Sequence, residues 1–239
     1  MKNTVVISKK IKSFNKSIKI EGDKSLSIRW ALLASQASGK SRAINLLKSD
    51  DVQNTLKCLK KIGIGIKQKK NYCEINSKGL NSFDYKKDLI LDAGNSGTLS
   101  RLLLGLLVHS RSKIKLIGDR SLSKRDFLRV TKPLTKFGAN FESKSGRLPI
   151  FIEGTNNPKP IKFYENKGSA QCKSSIMLAA LNTKGDTIIK AKKSRDHTEI
   201  LFKYLNLPIK IKKYKKYDLI KIKGKKNIKA FNYRIPSDI

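Results

Sequence analysis

The stretch AGNSGTLSRLLLGLLVHS, Ala93 to Ser110, decides how the rest of the sequence is interpreted. It begins with a turn of small residues, continues with an arginine and ends in a dense run of leucines. Small polar residues before an apolar run are typical of a helix N-terminus, and apolar residues on nearly every side of a helix indicate burial. The stretch therefore predicts a core helix whose N-terminal end leaves unpaired N–H groups beside an arginine.

The same pattern occurs three times along the chain. EGDKSLSIRWALLASQASG (21–39) precedes this stretch and GSAQCKSSIMLAALNTKG (168–185) follows it. After each apolar helix come a short strand, a second helix and a pair of strands, so each unit reads β-α-β-α-β-β. We expect an α/β fold in which three such units form a pseudo-threefold domain, with the first helix of each unit facing inward.

The repeats also divide the chain into regions. We expect one domain over residues 21–230, with repeats at 21–79, 91–154 and 166–224. Residues 1–20 form a strand-like segment outside the repeat, and residues 231–239 form an extended segment that follows it.

The charge of the chain is strongly positive. Its 239 residues include 53 Lys and Arg against 18 Asp and Glu, a net charge of +35. Such a balance fits nucleic acid, anionic small substrates or the lysine-rich composition that AT-rich genomes produce. Aromatic residues make up 7%, too few for an evident base-stacking platform, which argues against nucleic acid.

Other classes of protein are excluded by simpler observations. No apolar run approaches the ~20 residues that a membrane span needs, so we expect no membrane partner. Cys58, Cys73 and Cys172 lack metal-ligand spacing and are expected to be free thiols in a reducing cytoplasm. His109 and His197 lie far apart in the sequence, which predicts no metal site.

The small-residue turns predict anion binding. A helix N-terminus carries about half a positive charge, and Gly and Ser let an anion approach the backbone closely. If the repeats are related by rotation, the N-terminal ends of their first helices meet on one face. These ends, which we call the helix mouths, suit a substrate with several phosphates or carboxylates. The alternative is that each cation pairs with a neighbouring carboxylate. The residues in question are Lys24, Ser25, Arg29, Arg101, Arg125, Lys173 and Arg195.

One segment imitates a nucleotide-binding loop. ASQASGKS (34–41) fits a loose phosphate-loop pattern. A true phosphate loop follows a strand and opens a helix, whereas this segment follows a helix and leads into a strand. We therefore expect a helix-to-strand turn here and no nucleotide-kinase activity.

Five motifs in order resemble the enolpyruvyl transferases over essentially the whole chain. They are GDKSLSIR (22–29), GNSGTLSR (94–101), GDRSLSKR (118–125), SAQCKSS (169–175) and SRDHTE (194–199). The resemblance implies two domains of three β-α-β-α-β-β units each. It also implies transfer of the enolpyruvyl group of phosphoenolpyruvate to the 5-hydroxyl of shikimate 3-phosphate, with release of phosphate. That step belongs to the shikimate pathway of aromatic amino-acid biosynthesis, and the family uses no metal or organic cofactor.

A second branch of the family acts on UDP-N-acetylglucosamine. That branch typically has Asn after the first lysine and a reactive cysteine in the loop matching GDRSLSKR (118–125). Here Ser25 follows the lysine and the loop contains no cysteine, so the resemblance favours the shikimate branch. The corresponding expectation is a cytoplasmic enzyme that is monomeric at full length.

The resemblance also implies a role for individual residues. Lys24 is expected to contact both substrates and to pass a proton to the leaving group. The residues expected to hold shikimate 3-phosphate are Lys24, Ser25, Arg29, Ser169, Ala170, Gln171, Ser194 and Arg195. Those expected to hold phosphoenolpyruvate are Lys24, Asn95, Gly97, Arg125 and Gln171.

The family's chain is nearly twice as long as this one. The resemblance places residues 1–20 and 231–239 at the connections to a second domain, which is otherwise absent from the sequence. That domain supplies the general base and further cationic contacts. We therefore expect residues 21–230 to form the substrate-binding half and the 239-residue chain to be inactive on its own.

Overall fold

The computed structural model of the chain describes residues 6, 8–10, 13, 15, 17 and 20–237. The predicted strand in residues 1–20 lies for the most part outside the described residues and stays a prediction. The remainder folds into three similar units, as the repeats predict. The chain has an α/β architecture with the apolar helices at its centre and the sheets outside them.

Each unit contributes helices and strands in the same order. The first unit contains α1 (Lys24–Ala34), β1 (Ala37–Ile44), α2 (Asp50–Lys61), β2 (Gly65–Gln68) and β3 (Tyr72–Lys78). The second contains β4 (Leu89–Asp92), α3 (Gly97–Leu107), β5 (Ile114–Ile117), α4 (Arg120–Ser123), α5 (Leu128–Thr135), β6 (Asn140–Ser143) and β7 (Ile150–Glu153). The third contains β8 (Lys162–Glu165), α6 (Ala170–Leu181), β9 (Asp186–Lys192), α7 (His197–Tyr204), β10 (Ile209–Lys213) and β11 (Tyr217–Lys223). Two short strands follow, β12 (Ile228–Lys229) and β13 (Asn232–Arg234).

The second and third units each build a four-stranded sheet with the same topology. Their orders are β4-β5-β7-β6 and β8-β9-β11-β10. In both, the first two strands are parallel and the other pairs are antiparallel. This is the arrangement that the β-α-β-α-β-β unit predicts, and the helix crossing between the parallel strands becomes the core helix.

The first unit takes its leading strand from the other end of the chain. β12 and β13 both pair with β1 in parallel, where β4 and β8 lie in the other two sheets. The predicted boundary at residue 230 therefore falls between two strands of one sheet. Residues 232–234 belong structurally to the first unit, which the sequence analysis did not identify.

The core helices α1, α3 and α6 pack against one another at the centre of the domain. Ile28 to Ala34 of α1 are buried, as are Leu99 to Leu107 of α3 and Cys172 to Leu181 of α6. Gly105 allows the close approach of α3 and α6, because a Cβ there would lie 2.2 Å from the carbonyl oxygen of Ser175. The inward orientation predicted for these helices is confirmed.

The segment that imitates a phosphate loop has another structure. Gly39, Lys40 and Ser41 lie inside β1, and α1 ends before them at Ala34. The backbone N–H groups of a strand are engaged by its neighbours and cannot surround a phosphate. The expectation of a helix-to-strand connection is correct, although the strand begins earlier than the sequence suggested.

Candidate active site

The N-terminal ends of the three core helices are capped in the same way. The Asp23 carboxylate accepts the N–H of Leu26. Ser96 Oγ accepts the N–H of Leu99 at 3.3 Å, and Ser169 Oγ accepts that of Cys172 at 3.2 Å. Each cap leaves other N–H groups of the first turn unpaired, so three positive helix ends remain available to an anion.

A cavity of about 570 Å³ opens at these ends. It brings together five of the residues predicted from the motifs. Those five are Lys24, Asn95, Gly97, Arg125 and Gln171. The remaining lining residues are Ser49, Asp50, Asp51 and Thr98, which the sequence analysis did not assign to the site.

Lys24 lies at the first position of α1 and pairs with a residue of α2. Its Nζ lies 2.9 Å from Oδ2 of Asp51, which the second helix of the unit contributes from its first turn. The Lys24 side chain is 49% exposed, so its ammonium remains accessible from the cavity. Asp51 therefore orients the lysine without withdrawing it from solvent. Acidic residues beginning a helix look like ordinary capping residues in the sequence, which explains why Asp51 was missed.

Arg125 and Asn95 meet on the other side of the cavity. Arg125 Nη2 donates to Asn95 Oδ1 at 3.0 Å, and both residues are exposed. Gly97 begins α3 just beneath them. A Cβ at this position would lie 3.0 Å from Nη1 of Arg125 and 3.0 Å from Nη1 of Arg101. The glycine therefore leaves the space in which both guanidinium groups lie.

Arg101 connects the second and third helix mouths from below. Its Nη1 donates to Gln171 Oε1 at 2.8 Å, and its Nη2 donates to the carbonyl of Asp126 at 3.3 Å. Gln171 Nε2 in turn donates to Thr98 Oγ1 at 3.2 Å. Burial lowers the pKa of Arg101 to about 10. The arginine is thus a buttress that fixes the amide orientation of Gln171 and the loop that carries Arg125.

Arg29 lies under the mouth of α1 and is 5% exposed. Its Nε donates to Thr198 Oγ1 at 2.8 Å, and its Nη1 donates to the carbonyl of Ser25 at 3.1 Å. A longer bond of 3.3 Å joins Nη2 to Ser174 Oγ. Burial lowers the pKa of Arg29 to about 10. The alternative of a carboxylate partner is wrong for Arg29, since hydroxyl and carbonyl groups bind it.

Lys173 is not an anion-binding residue of the mouth. It is fully buried, and its Nζ forms an ion pair with the Glu199 carboxylate on α7. Desolvation by burial raises the pKa of Glu199, which the lysine opposes. The expectation that Lys173 adds to the exposed cations is therefore wrong, because helix packing turns it towards the core.

The remaining predicted residues surround the cavity without lining it. Ser169 caps α6 and Ala170 begins it, while Ser25 lies in the first turn of α1. Ser194 and Arg195 lie in the loop before α7, and Arg195 is exposed. Arg195 is close enough to lower the pKa of His197, an effect smaller than that of burial and of Arg29. The ligand roles implied for these residues stay predictions.

The described part of the chain contains neither a metal-binding group of side chains nor a membrane-spanning helix. Among residues 20–237 no three His, Cys, Asp or Glu side chains are grouped so that they could ligate a metal ion. No helix formed by these residues is both long enough and apolar enough to traverse a bilayer.

Comparison with known proteins agrees with the motifs. The sequence model of the family described as EPSP synthase (3-phosphoshikimate 1-carboxyvinyltransferase) matches residues 8–239. The 3-phosphoshikimate 1-carboxyvinyltransferase of Ruthia magnifica subsp. Calyptogena magnifica is 39% identical over 98% of this chain and 53% of its own length. That of Alkaliphilus oremlandii is 38% identical over 96% of this chain and 53% of its own.

The fold agrees as well. The structure of EPSP synthase from Acinetobacter baumannii superimposes with a TM-score of 0.84 at 31% identity, covering 92% of this chain and 50% of that one. The chain spans about half the length of the curated relatives it matches. Over that half, both the sequence and the fold agree with the family. The chain belongs to the EPSP synthase (3-phosphoshikimate 1-carboxyvinyltransferase) family.

Proposed function

We propose that the chain forms one wall of an active site that transfers the enolpyruvyl group of phosphoenolpyruvate to the 5-hydroxyl of shikimate 3-phosphate. The observation that carries the proposal is the cavity at the three helix mouths. It gathers Lys24, Asn95, Gly97, Arg125 and Gln171 from three separate motifs. Membership of the family supports the choice of substrates, and helix N-termini with exposed cations suit two anionic reactants.

The chemistry proceeds by addition and elimination. The 5-hydroxyl group gives up its proton to the general base as its oxygen forms a bond to C2 of phosphoenolpyruvate, and C3 takes up a proton. The resulting tetrahedral adduct then loses phosphate and the proton gained at C3, which regenerates the enol double bond. Holding both reactants in one cavity lowers the entropic part of the barrier. Fixed cations stabilise the charge that develops on the leaving phosphate.

Each side of the cavity has a proposed role. Arg125, held by Asn95, binds phosphoenolpyruvate above Gly97. Lys24 lies opposite and supplies the proton that the leaving phosphate takes. Gln171, fixed by Arg101, reaches both reactants. The residues proposed for the shikimate 3-phosphate side are Ser25, Arg29, Ser169, Ala170, Ser194 and Arg195.

We also infer the conditions under which this half works. The general base and further cations are proposed to come from the part of the relatives that the chain does not span. A cytoplasmic, monomeric protein is proposed. The free thiols of Cys58, Cys73 and Cys172 support a reducing compartment, because all of them are buried without a disulfide.

Titration with shikimate 3-phosphate tests the proposal. Calorimetry of the 239-residue chain should detect weak binding that Lys24→Ala abolishes. The matched control is Lys40→Ala, because Lys40 is also exposed but lies on β1, outside the cavity. Equal affinities for the two variants would refute the assignment of the cavity.

Turnover is tested with the half of a relative that the chain does not span supplied separately. The chain is mixed with the second half of the Ruthia magnifica relative, and phosphate release is followed with both substrates present. Lys24→Ala should lower the rate by about 10²–10⁴-fold, the usual contribution of a general acid. Phosphate release by the chain on its own at the same rate would contradict the proposed division of the site.

A further inference from the structure

The outer face of the third sheet is the most positively charged of the three. On the antiparallel strands β9, β10 and β11, the outward-facing residues include six lysines and one carboxylate, Asp186. The lysines are Lys190, Lys192, Lys210, Lys212, Lys221 and Lys223. All six are exposed, and among the described residues only Lys221 has an ion-pair partner, Asp186 at 2.7 Å.

The equivalent face of the second sheet has no excess of positive charge. On β5, β6 and β7 it carries Lys115, Glu142 and Glu153, and Lys113, just before β5, pairs with Glu142 at 2.8 Å. A uniform compositional bias towards lysine would place similar numbers of lysines on equivalent strands of the sheets. The difference shows that the positive charge is concentrated by position in the fold and is not spread evenly over the repeats.

Tyrosines accompany the lysines on the third sheet. The rings of Tyr214 and Tyr217 stack at a centroid distance of 4.7 Å and an angle of 23°. Lys190 Nζ lies 4.4 Å from the Tyr217 ring centre and 5.1 Å from that of Tyr164. Tyr164 is 57% exposed and Tyr214 is 43% exposed. We define these three tyrosines and six lysines as the lysine–tyrosine face.

The first sheet is basic but lacks the exposed rings. Its antiparallel strands carry Lys40, Arg42, Lys67 and Lys78 against Glu74. Its one outward tyrosine, Tyr72, is only partly exposed and lies 5.2 Å from the Arg42 guanidinium. This face therefore offers charge with less ring surface for stacking, which makes it an internal control.

We propose that the lysine–tyrosine face binds single-stranded nucleic acid. Lysine ammonium groups attract the phosphate backbone, and exposed aromatic rings on a flat surface provide the faces on which unpaired bases stack. The sequence argued against such a platform because aromatic residues are few, but the fold gathers three of them on one sheet. The face lies outside the cavity at the helix mouths, so this binding is separate from the proposed transferase function.

The first experiment separates this face from general positive charge. Fluorescence anisotropy is measured with a labelled oligouridylate of about 12 nucleotides, within the ~4–16 nucleotides that such sites cover. The test variant is Lys192→Glu/Lys210→Glu/Lys212→Glu, and the control is Lys40→Glu/Lys67→Glu/Lys78→Glu. Both change the net charge equally, and all six lysines are exposed.

The test variant should bind at least about tenfold more weakly at ~0.15 M salt. Its salt slope should fall by about two, because each phosphate contact on a single strand contributes about 0.7. The control should lose less than about threefold. Equal losses in the two variants, or no binding by the unmodified chain, would overturn the proposal.

The second experiment tests stacking. Tyr164→Leu/Tyr214→Leu should weaken binding by about tenfold with an unchanged salt slope, because base stacking does not release counterions. Both side chains are exposed, so the variant is expected to fold. Unchanged affinity in this variant would overturn the proposal, as would tighter binding to vesicles containing anionic phospholipid than to the oligonucleotide.

Discussion

The same three core helices form two ends that use their polar side chains differently. At the N-terminal end, which we call the open end, Lys24, Asn95, Arg125 and Gln171 line a cavity. At the C-terminal end, which we call the closed end, Gln36 and Asn182 are buried, and His109 is buried at the wall of a smaller cavity of about 340 Å³. Asn182 Nδ2 donates to Gln36 Oε1 at 3.0 Å, and His109 Nε2 lies 3.4 Å from the carbonyl of Ala179.

The difference shows which polar groups contribute to stability and which contribute to ligand binding. At the closed end they hydrogen-bond to one another and to helix carbonyls such as that of Ala179, so substitutions there should reduce stability. At the open end the N–H groups and cations face a cavity, so substitutions there should reduce ligand affinity and leave stability nearly unchanged. The four predictions below test this division.

At the closed end, the largest effect on stability is expected from pH. Burial lowers the pKa of His109 from 6.5 to about 4, with Lys225 contributing in the same direction. A group whose folded pKa is depressed contributes stability above its unfolded pKa, and that stability is lost as the pH falls through the folded pKa. The free energy of unfolding should therefore fall by about 3 kcal/mol between pH 6.5 and 4 on account of this residue.

Urea unfolding of the unmodified chain and His109→Gln at several pH values isolates this contribution. Carboxylates titrate in both proteins, so the difference between the two pH profiles reports the histidine. His197 remains in the variant as an internal reference, since its pKa is also lowered. Parallel profiles from pH 7 to pH 4 would show that the closed end is not sensitive to acid in this way.

Two glutamines give the next comparison. Gln36→Ala removes the acceptor of the buried Asn182 amide and should cost about 1–3 kcal/mol. Gln171→Ala removes an acceptor of Arg101 at the rim of the cavity, where water can replace it, and should cost less than about 1 kcal/mol. Both variants truncate a glutamine to alanine, one at each end, and thermal unfolding measures the stability of each. The division between the ends fails if Gln171→Ala is the more damaging change.

The sequence predicted the architecture better than it predicted individual side chains. Repeats of apolar helices and strands have strong periodicity, which is why the three units and the inward helices could be predicted. β12 and β13 could not, because strands of two and three residues have no pattern and their pairing with β1 joins distant parts of the chain. Tertiary packing alone places these strands.

The same reason explains the uneven outcome at the site. The turn residues Asn95 and Gly97 belong to a contiguous motif of the family that the sequence resembles, and the structure places them at the cavity. The directions of Lys173 and Arg29 depend on how α6 and α7 pack, which no local pattern encodes. Asp51 meets Lys24 only because α1 and α2 lie side by side.

Gly97→Ala should reduce affinity at the open end without unfolding the domain. The new Cβ would press on Nη1 of Arg101 and of Arg125, and these flexible ends can shift by a few tenths of an ångström. We expect about tenfold weaker binding of phosphoenolpyruvate in NMR titrations, because displaced cations hold the anion less well. Gly65→Ala on β2 is the control, since a Cβ there makes only ordinary contacts. Tighter binding by Gly97→Ala would contradict the assigned position of Arg125.

The smallest effect on stability is expected from the ion pair between Lys24 and Asp51. Their side chains are 49% and 21% exposed, so water and salt screen the attraction. Asp51→Asn should change the free energy of unfolding by less than about 1 kcal/mol, the usual range for an exposed pair. The matched buried change, Glu199→Gln, leaves Lys173 without its carboxylate in the core and should cost about 3–5 kcal/mol. If Asp51→Asn lowered the free energy of unfolding in urea as much as Glu199→Gln, the ion pair between Lys24 and Asp51 would serve mainly to stabilise the fold. If the change is small, the lysine is held loosely enough to exchange Asp51 for a substrate anion, as a residue serving the cavity must.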